Sequence, residues 1–163
     1  MLIMRVDDRL IHGQVIAGWV RPLGIDRLIL SSNSIANDQW MRKAYTLAVP
    51  GDVELSILSL DDTVEALRNS DQKEEKSMVI VESLVEAKNL IDHGLTIKKL
   101  NLGCIGYSEG KVEITPYIYL TRKEICLIKS IYNNGIVVEA QALPSSPAVD
   151  LLNVINHFDT KCT

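Results

Sequence analysis

Two periodicities alternate along the chain. Short runs of Leu, Ile and Val are followed by stretches in which apolar residues recur at three- and four-residue spacing, the marks of buried strands and of amphipathic helices. Leu2, Ile3 and Val6 open a first strand, and Asp26–Leu30, Val53–Leu58, Met78–Val81, Lys99–Leu102 and Ile136–Ala142 supply the others. Met78-Val-Ile-Val81 is apolar throughout, as expected where both sheet faces are covered. Helical spacing joins Val15, Ile16, Trp19 and Val20, then Trp40, Met41, Ala44, Tyr45 and Ala48. Later helices carry Leu84, Ala87 and Ile91, then Ile125, Ile128 and Tyr132, and finally Ala148, Leu151, Leu152 and Ile155. Trp19 and Trp40 fall on apolar faces, so core packing is the expectation for both.

Turn chemistry marks the boundaries. Pro22 and Gly24 end the first helix, Pro50-Gly51 the second, and Gly94 and Asn134-Gly135 later ones. Asp62-Thr-Val-Glu65 can cap one helix, while Ser83-x-x-Glu86 and Thr121-x-x-Glu124 are capping boxes. Ser146-Pro147 reads as a helix start, Ser31-Ser-Asn33 as a turn, and Lys111–Leu120 as a short extended or hairpin excursion. The charged run Asp71–Lys76 reads as a solvated loop.

Strands alternating with helices of this length predict an α/β fold. The expectation is a doubly wound, mainly parallel β-sheet with helices on both faces, in a single domain over 1–163 with a frayed tail at 159–163. Such sheets bind ligands at the carboxyl ends of strands, near a topological switch point. Asp7–His12, Ser31–Asn33, Glu82-Ser83 and Gly103–Gly106 all fall at such ends and are predicted to share one rim.

Composition narrows the function. Of 163 residues, 47% are hydrophobic and 23% charged, with a single Phe, so the core must be built from Leu, Ile and Val. A net charge of −4 without a basic patch argues against nucleic-acid binding. No apolar run approaches the ~18–20 residues that span a bilayer, and the first residues lack a secretion-signal pattern, so a cytoplasmic protein is expected. Cys104, Cys126 and Cys162 form neither Cys-x-x-Cys nor a zinc spacing. All are expected to be thiols, in a reducing compartment.

The chemistry is placed between Met4 and Val20. The first strand ends in Asp7, Asp8 and Arg9, and His12-Gly13 then precede a helix. A helix start offers free backbone N–H groups that favour anions, phosphate above all. Neutral imidazole near pH 7 is a nucleophile able to take a phosphoryl group covalently. Arg9 is the candidate counter-charge, assisted by amides around Gly13 and Gln14. Read without its flanks, His12 is better explained as a residue that satisfies a turn. Of the two acids, one is expected to orient His12 or Arg9 and the other to hold the loop, with Asp8 adjacent to the site. Gln14 and Asn33 are candidates for its polar wall, or else an exposed helix residue and a turn residue. His93, before Gly94, suits a helix C-terminus.

Arg5–Val15, Arg-Val-Asp-Asp-Arg-Leu-Ile-His-Gly-Gln-Val, resembles a family signature. It is Arg-(Ile/Val)-Asp-(Asp/Glu)-Arg-Leu-Ile-His-Gly-Gln-Val of the IIB components of the mannose/fructose/sorbose family of the bacterial sugar phosphotransferase system. Asn101-Leu-Gly-Cys-Ile-Gly106 is similar to the family's Asn-x-Gly-Gly-(Met/x)-Gly segment, with Cys104 where a second glycine is frequent. Gly110-Lys111, Thr121–Glu124 and Val138–Pro144 are similar to later blocks, so the likeness covers essentially the whole chain. It implies a protein-N(pi)-phosphohistidine–sugar phosphotransferase whose His12 is phosphorylated, at Nδ1, by a IIA phosphohistidine. The group then passes to a sugar held by the membrane IIC/IID permease. The resemblance further implies no cofactor beyond the covalent phosphohistidine, no metal, and attachment to the membrane through those partners; a homodimer is compatible with it. Pro147-Ala-Val-Asp-Leu151 most resembles N-acetylgalactosamine-type members.

Two other readings compete. A receiver-like aspartyl-phosphate domain would need an aspartate ending the third strand and a lysine ending the fifth, where Leu58-Ser59 and Gly103-Cys104 stand. A regulatory homologue would bind the same partners without carrying phosphate.

Overall fold

The computed structural model describes residues 1–69 and 75–158. The tail at 159–163 and most of the charged run Asp71–Lys76 lie outside these residues. The apolar runs form β1 (Leu2–Asp7), β2 (Arg27–Ser31), β3 (Glu54–Leu58), β4 (Ser77–Val81) and β5 (Lys99–Cys104). The hairpin of β6 (Val112–Thr115) and β7 (Ile118–Leu120) follows, and then β8 (Val137–Ala140) and β9 (Val149–Asp150). The main sheet has the order β3-β2-β4-β1-β5-β8-β9. Every pair in it is parallel except β8 with the short β9. From β1 the chain moves to β2 on one side, whereas from β4 it crosses to β5 on the other, so these neighbours form the switch point.

Helices cover both faces. On one, β1 contributes Met4 and Val6 to a core with α5 (Leu60–Asn69), α6 (Leu84–Asp92), α7 (Arg122–Asn133) and α8 (Leu151–Ile155). On the other, Leu28, Leu30, Met78 and Ile80 pack under Val15, Trp19, Val20 and Ile35. The capping box expected at Thr121 is complete, with Glu124 returning to the Thr121 amide at 2.7 Å. Each leucine or isoleucine buried in these layers is worth roughly 1.5–3 kcal/mol.

Several local expectations are corrected. The first helix runs through Pro22 as α1 (Gly13–Val15), a π-helical segment (Ile16–Val20) and α2 (Arg21–Leu23). Proline conflicts with the carbonyl four residues back in a regular α-helix, and the wider π turn before it relieves that conflict. Gly24, left-handed at φ 60°, ends the helix. Ser31–Asn33 is no turn: Ser32 caps α3 (Asn33–Ala36), and Asp38 then caps α4 (Gln39–Ala48). Ser146-Pro147 starts no helix, because the chain first forms β9 and α8 begins after Asp150.

Trp40 is 83% exposed rather than in the core. Helix α4 buries no residue and rests on the body through the partly buried Tyr45, so its apolar spacing does not report its packing. Cys104 is a free thiol, as expected. Cys162 lies outside the described residues.

Candidate active site

A strand turns alternate side chains to opposite faces. With Met4 and Val6 in one core, Arg5 and Asp7 point to the other face, and both are buried, at 1% and 0% exposure. The Arg5 guanidinium lies 4.7 Å from the centre of the Trp19 ring. Its Nη1 donates to Asn101 Oδ1 at 2.5 Å and to the Gln141 carbonyl at 3.1 Å, and its Nη2 to Asp7 Oδ2 at 3.0 Å. Space for this plane comes from β5. The β1–β5 register shifts between Val6 and Asp7, passing over Gly103, and a Cβ at that glycine would fall 1.8 Å from Arg5 Nη2. Burial lowers the pKa of Arg5, while the Asp7 charge pulls it back up.

Beyond Asp7 the chain reverses sharply. Leu10 takes a φ of 55°, the sole positive value at a non-glycine among the described residues, a conformation that costs on the order of 1 kcal/mol. Its amide donates to the Asp7 carbonyl at 2.9 Å. This turn sets His12 as the N-cap residue of α1, in extended backbone, with its ring back against Asp7. Nε2 stands 3.3 Å from Asp7 Oδ2, and the side chain is 20% exposed. Asp7 Oδ1 accepts from the Arg9 amide at 3.2 Å and from Arg9 Nε at 3.4 Å. The Arg9 side chain, 49% exposed, donates from Nη2 to Gln14 Oε1 at 3.3 Å. The His12 carbonyl already accepts from Val15 and Ile16. The Gly13 and Gln14 amides are the first of the helix, which such a start leaves without an intrahelical acceptor.

His12, Arg9, Gly13 and Gln14 meet as expected, and the two acids divide the work as expected, one orienting and one holding the loop. Asp8 turns away and accepts from the Gly106 amide at 2.6 Å, tying the β1 and β5 loops together. Asp7, outside the expected set of site residues, orients both His12 and Arg9. Asn33 is committed elsewhere: its Oδ1 accepts from the Leu60 amide at 2.9 Å, pinning α3 to the start of α5. The rim itself is shared, for a cavity of about 320 Å³ is lined by Asp8, Ser34 and Glu82 together. Donor atoms of Asp7, Asp8 and Cys104 lie within 4.8 Å of one another. Both Asp7 oxygens are already engaged with Arg5, Arg9 and His12, however, and the Cys104 thiol is pushed up by burial and the Asp8 charge. Arg5 and Asn101 were missed as well. The signal was the two-residue spacing of Arg5 and Asp7 inside an otherwise apolar strand.

A parallel α/β sheet that holds a carboxylate-clamped histidine on its carboxyl rim defines a domain organised around one imidazole. The chain matches the family described as PTS system sorbose subfamily IIB component over residues 1–162, and it belongs to that family. It is 28% identical to the fructose-specific EIIB component of the phosphotransferase system (PTS) of Bacillus subtilis, with 96% of each chain covered. To the mannose-specific EIIAB component of Escherichia coli it is 24% identical over 95% of its own length, spanning 48% of that relative. In structure it resembles the IIB domain of the sorbose permease of Klebsiella pneumoniae, with a TM-score of 0.88 and 25% identity, covering 97% of this chain and 98% of that one. The protein is thus a sugar-phosphotransfer IIB component, of a family that works with IIA and IIC/IID partners. No helix among the described residues is long and apolar enough to cross a membrane.

Proposed function

We propose that His12 is the phosphoryl carrier: it takes the group from a IIA phosphohistidine and delivers it to a sugar bound by the membrane IIC/IID permease. The observation that carries this reading is the 3.3 Å approach of Asp7 to His12 Nε2. With Nε2–H held by the carboxylate, the lone pair sits on Nδ1, the other ring nitrogen. That lone pair forms the new N–P bond while the donor's N–P bond breaks and the donor imidazole leaves with its electron pair. Little covalent help is required of the protein in such a transfer, so charge balance and positioning dominate. Arg9 exchanges its exposed contact with Gln14 for the phosphoryl oxygens, and the Gly13 and Gln14 amides supply further donors. In the onward step a sugar hydroxyl oxygen takes the phosphorus, its proton passes to a base of the sugar site, and His12 returns to neutral imidazole.

The cycle requires no metal or nucleotide, and the protein meets the membrane through its partners. The sugar is of the mannose, fructose, sorbose or N-acetylgalactosamine class; relatives carrying the names fructose, mannose and sorbose support the class rather than one member. A reconstituted system of IIA, permease and this protein tests the assignment. His12→Ala abolishes sugar phosphorylation if His12 carries the group, and activity that survives the substitution would identify a regulatory homologue instead.

A further inference from the structure

We propose that Arg5 is a positioning residue for His12: working through Asp7 Oδ2, it decides which ring nitrogen faces outward and so which nitrogen carries the phosphoryl group. The inference rests on the carrier reading and adds to it a buried device two side chains removed from the reacting atom. Arg5 and His12 share one oxygen of Asp7, at 3.0 and 3.3 Å. The Arg9 side chain, the other cation on Asp7, is half exposed, and it is also the group that must move toward the incoming phosphate. Arg5 cannot move. Its plane is bounded by the Trp19 ring and by Gly103, and its Nη1 is tethered to Asn101 Oδ1 and the Gln141 carbonyl. Trp19 is itself fixed, donating from Nε1 to the Ala142 carbonyl at 2.9 Å.

The tethers reach β5 and the residue that follows β8, so neighbouring segments at the carboxyl edge of the sheet set the angle of one carboxylate. When Arg9 turns to the phosphoryl group, Asp7 keeps its orientation because Arg5 holds it. Nε2–H then stays on Asp7 and the Nδ1 lone pair stays available. Without Arg5, the carboxylate is free to rotate toward Arg9, and the imidazole can present either nitrogen. In both cases the transfer balances identically, one N–P bond formed for one broken; what changes is the nitrogen.

The test uses the full chain and two substitutions, Arg5→Met and Asn101→Leu, the second leaving Arg5 in place while removing its tether. Nitrogen chemical shifts of His12 in the unphosphorylated protein report the tautomer, and phosphorus–nitrogen correlations after phosphorylation report the isomer. The native protein is expected to show the Nε2–H tautomer and a single Nδ1-phosphoryl isomer. In Arg5→Met both tautomers and a detectable Nε2 isomer are expected, with transfer slowed about 10²-fold by misplacement of the nucleophile. Arg5→Lys, a point charge lacking the fork, restores the tautomer in part, and Asn101→Leu shows the same loss in weaker form. If Arg5→Met does not fold, Asn101→Leu decides. A folded variant with an unchanged tautomer, a single Nδ1 isomer and native transfer rates overturns the proposal. Should the native protein take no phosphoryl group, the carrier reading fails, while the tautomer still reports on Arg5.

Discussion

Oδ2 of Asp7 lies 3.3 Å from Nε2 of His12, and the same carboxylate is sealed from solvent. A buried carboxylate facing an imidazole fixes the ring's tautomer as well as its angle. Asp7→Asn keeps the shape but removes the charge, so phosphoryl transfer is expected to fall about 10²-fold or more. It also leaves Arg5 buried without a counter-charge, and breaking a buried pair costs roughly 3–5 kcal/mol. Denaturant midpoints and single-turnover transfer rates measure the two effects separately; a variant native in both would contradict the role given to Asp7.

Two glycines of the site differ in what surrounds them. A Cβ at Gly103 would sit 1.8 Å from Arg5 Nη2, whereas one at Gly13 meets nothing within 4 Å. Gly103→Ala is expected to destabilise by about 1–3 kcal/mol through overpacking and to slow transfer through displaced Arg5. Gly13→Ala is expected to change stability by no more than about 0.5 kcal/mol. Thermal melts of the pair check the contrast.

The tryptophans separate in the same manner. Trp19 is buried, stacked by Arg5 and hydrogen-bonded, while Trp40 stands on an exposed helix. Trp19→Ala is expected to cost about 3–5 kcal/mol, and Trp40→Ser about 0.5 kcal/mol or less. Equal losses in urea titrations would contradict the packing described.

Tyr132 ties α7 to the last strands through its hydroxyl, which donates to Asp150 and accepts from the Leu152 amide. Burial, together with the Asp150 bond, pushes its pKa from 10.0 up to about 12. A folded value above the unfolded one favours the protonated native state, so this stabilisation is complete below pH 10 and is lost as the pH rises through about 12. Alkaline titration followed by absorbance should show a late-ionising tyrosine that Tyr132→Phe lacks, and the variant should lose the stability drop over that interval.

Most strands, the hairpin and the Thr121 capping box were legible because each follows from a local rule; at Ser83 only half a box forms, because Glu86 returns to the Glu82 amide. The apolar Met78–Val81 run can lie only inside, and Thr121 with Glu124 satisfies its own helix start. His12, Arg9 and the first amides were legible because they are neighbours in sequence. What escaped depends on distant partners. Asp7 and Asp8 are alike until the fold supplies Arg5 to one and the Gly106 amide to the other. Asn33 seemed a wall residue until Leu60 claimed its side chain. The π turn at Ile16–Val20 came from a proline that reads as a stop. Trp40 misled because helical spacing records which side chains share a face, not whether anything covers that face.

The most direct measurement incubates the protein with phosphorylated IIA, isolates the labelled peptide and tests its chemistry. The account predicts one phosphoryl group on His12, lost in acid and stable to base. Label on an aspartate, lost in base, or label retained in full by His12→Ala, would contradict it.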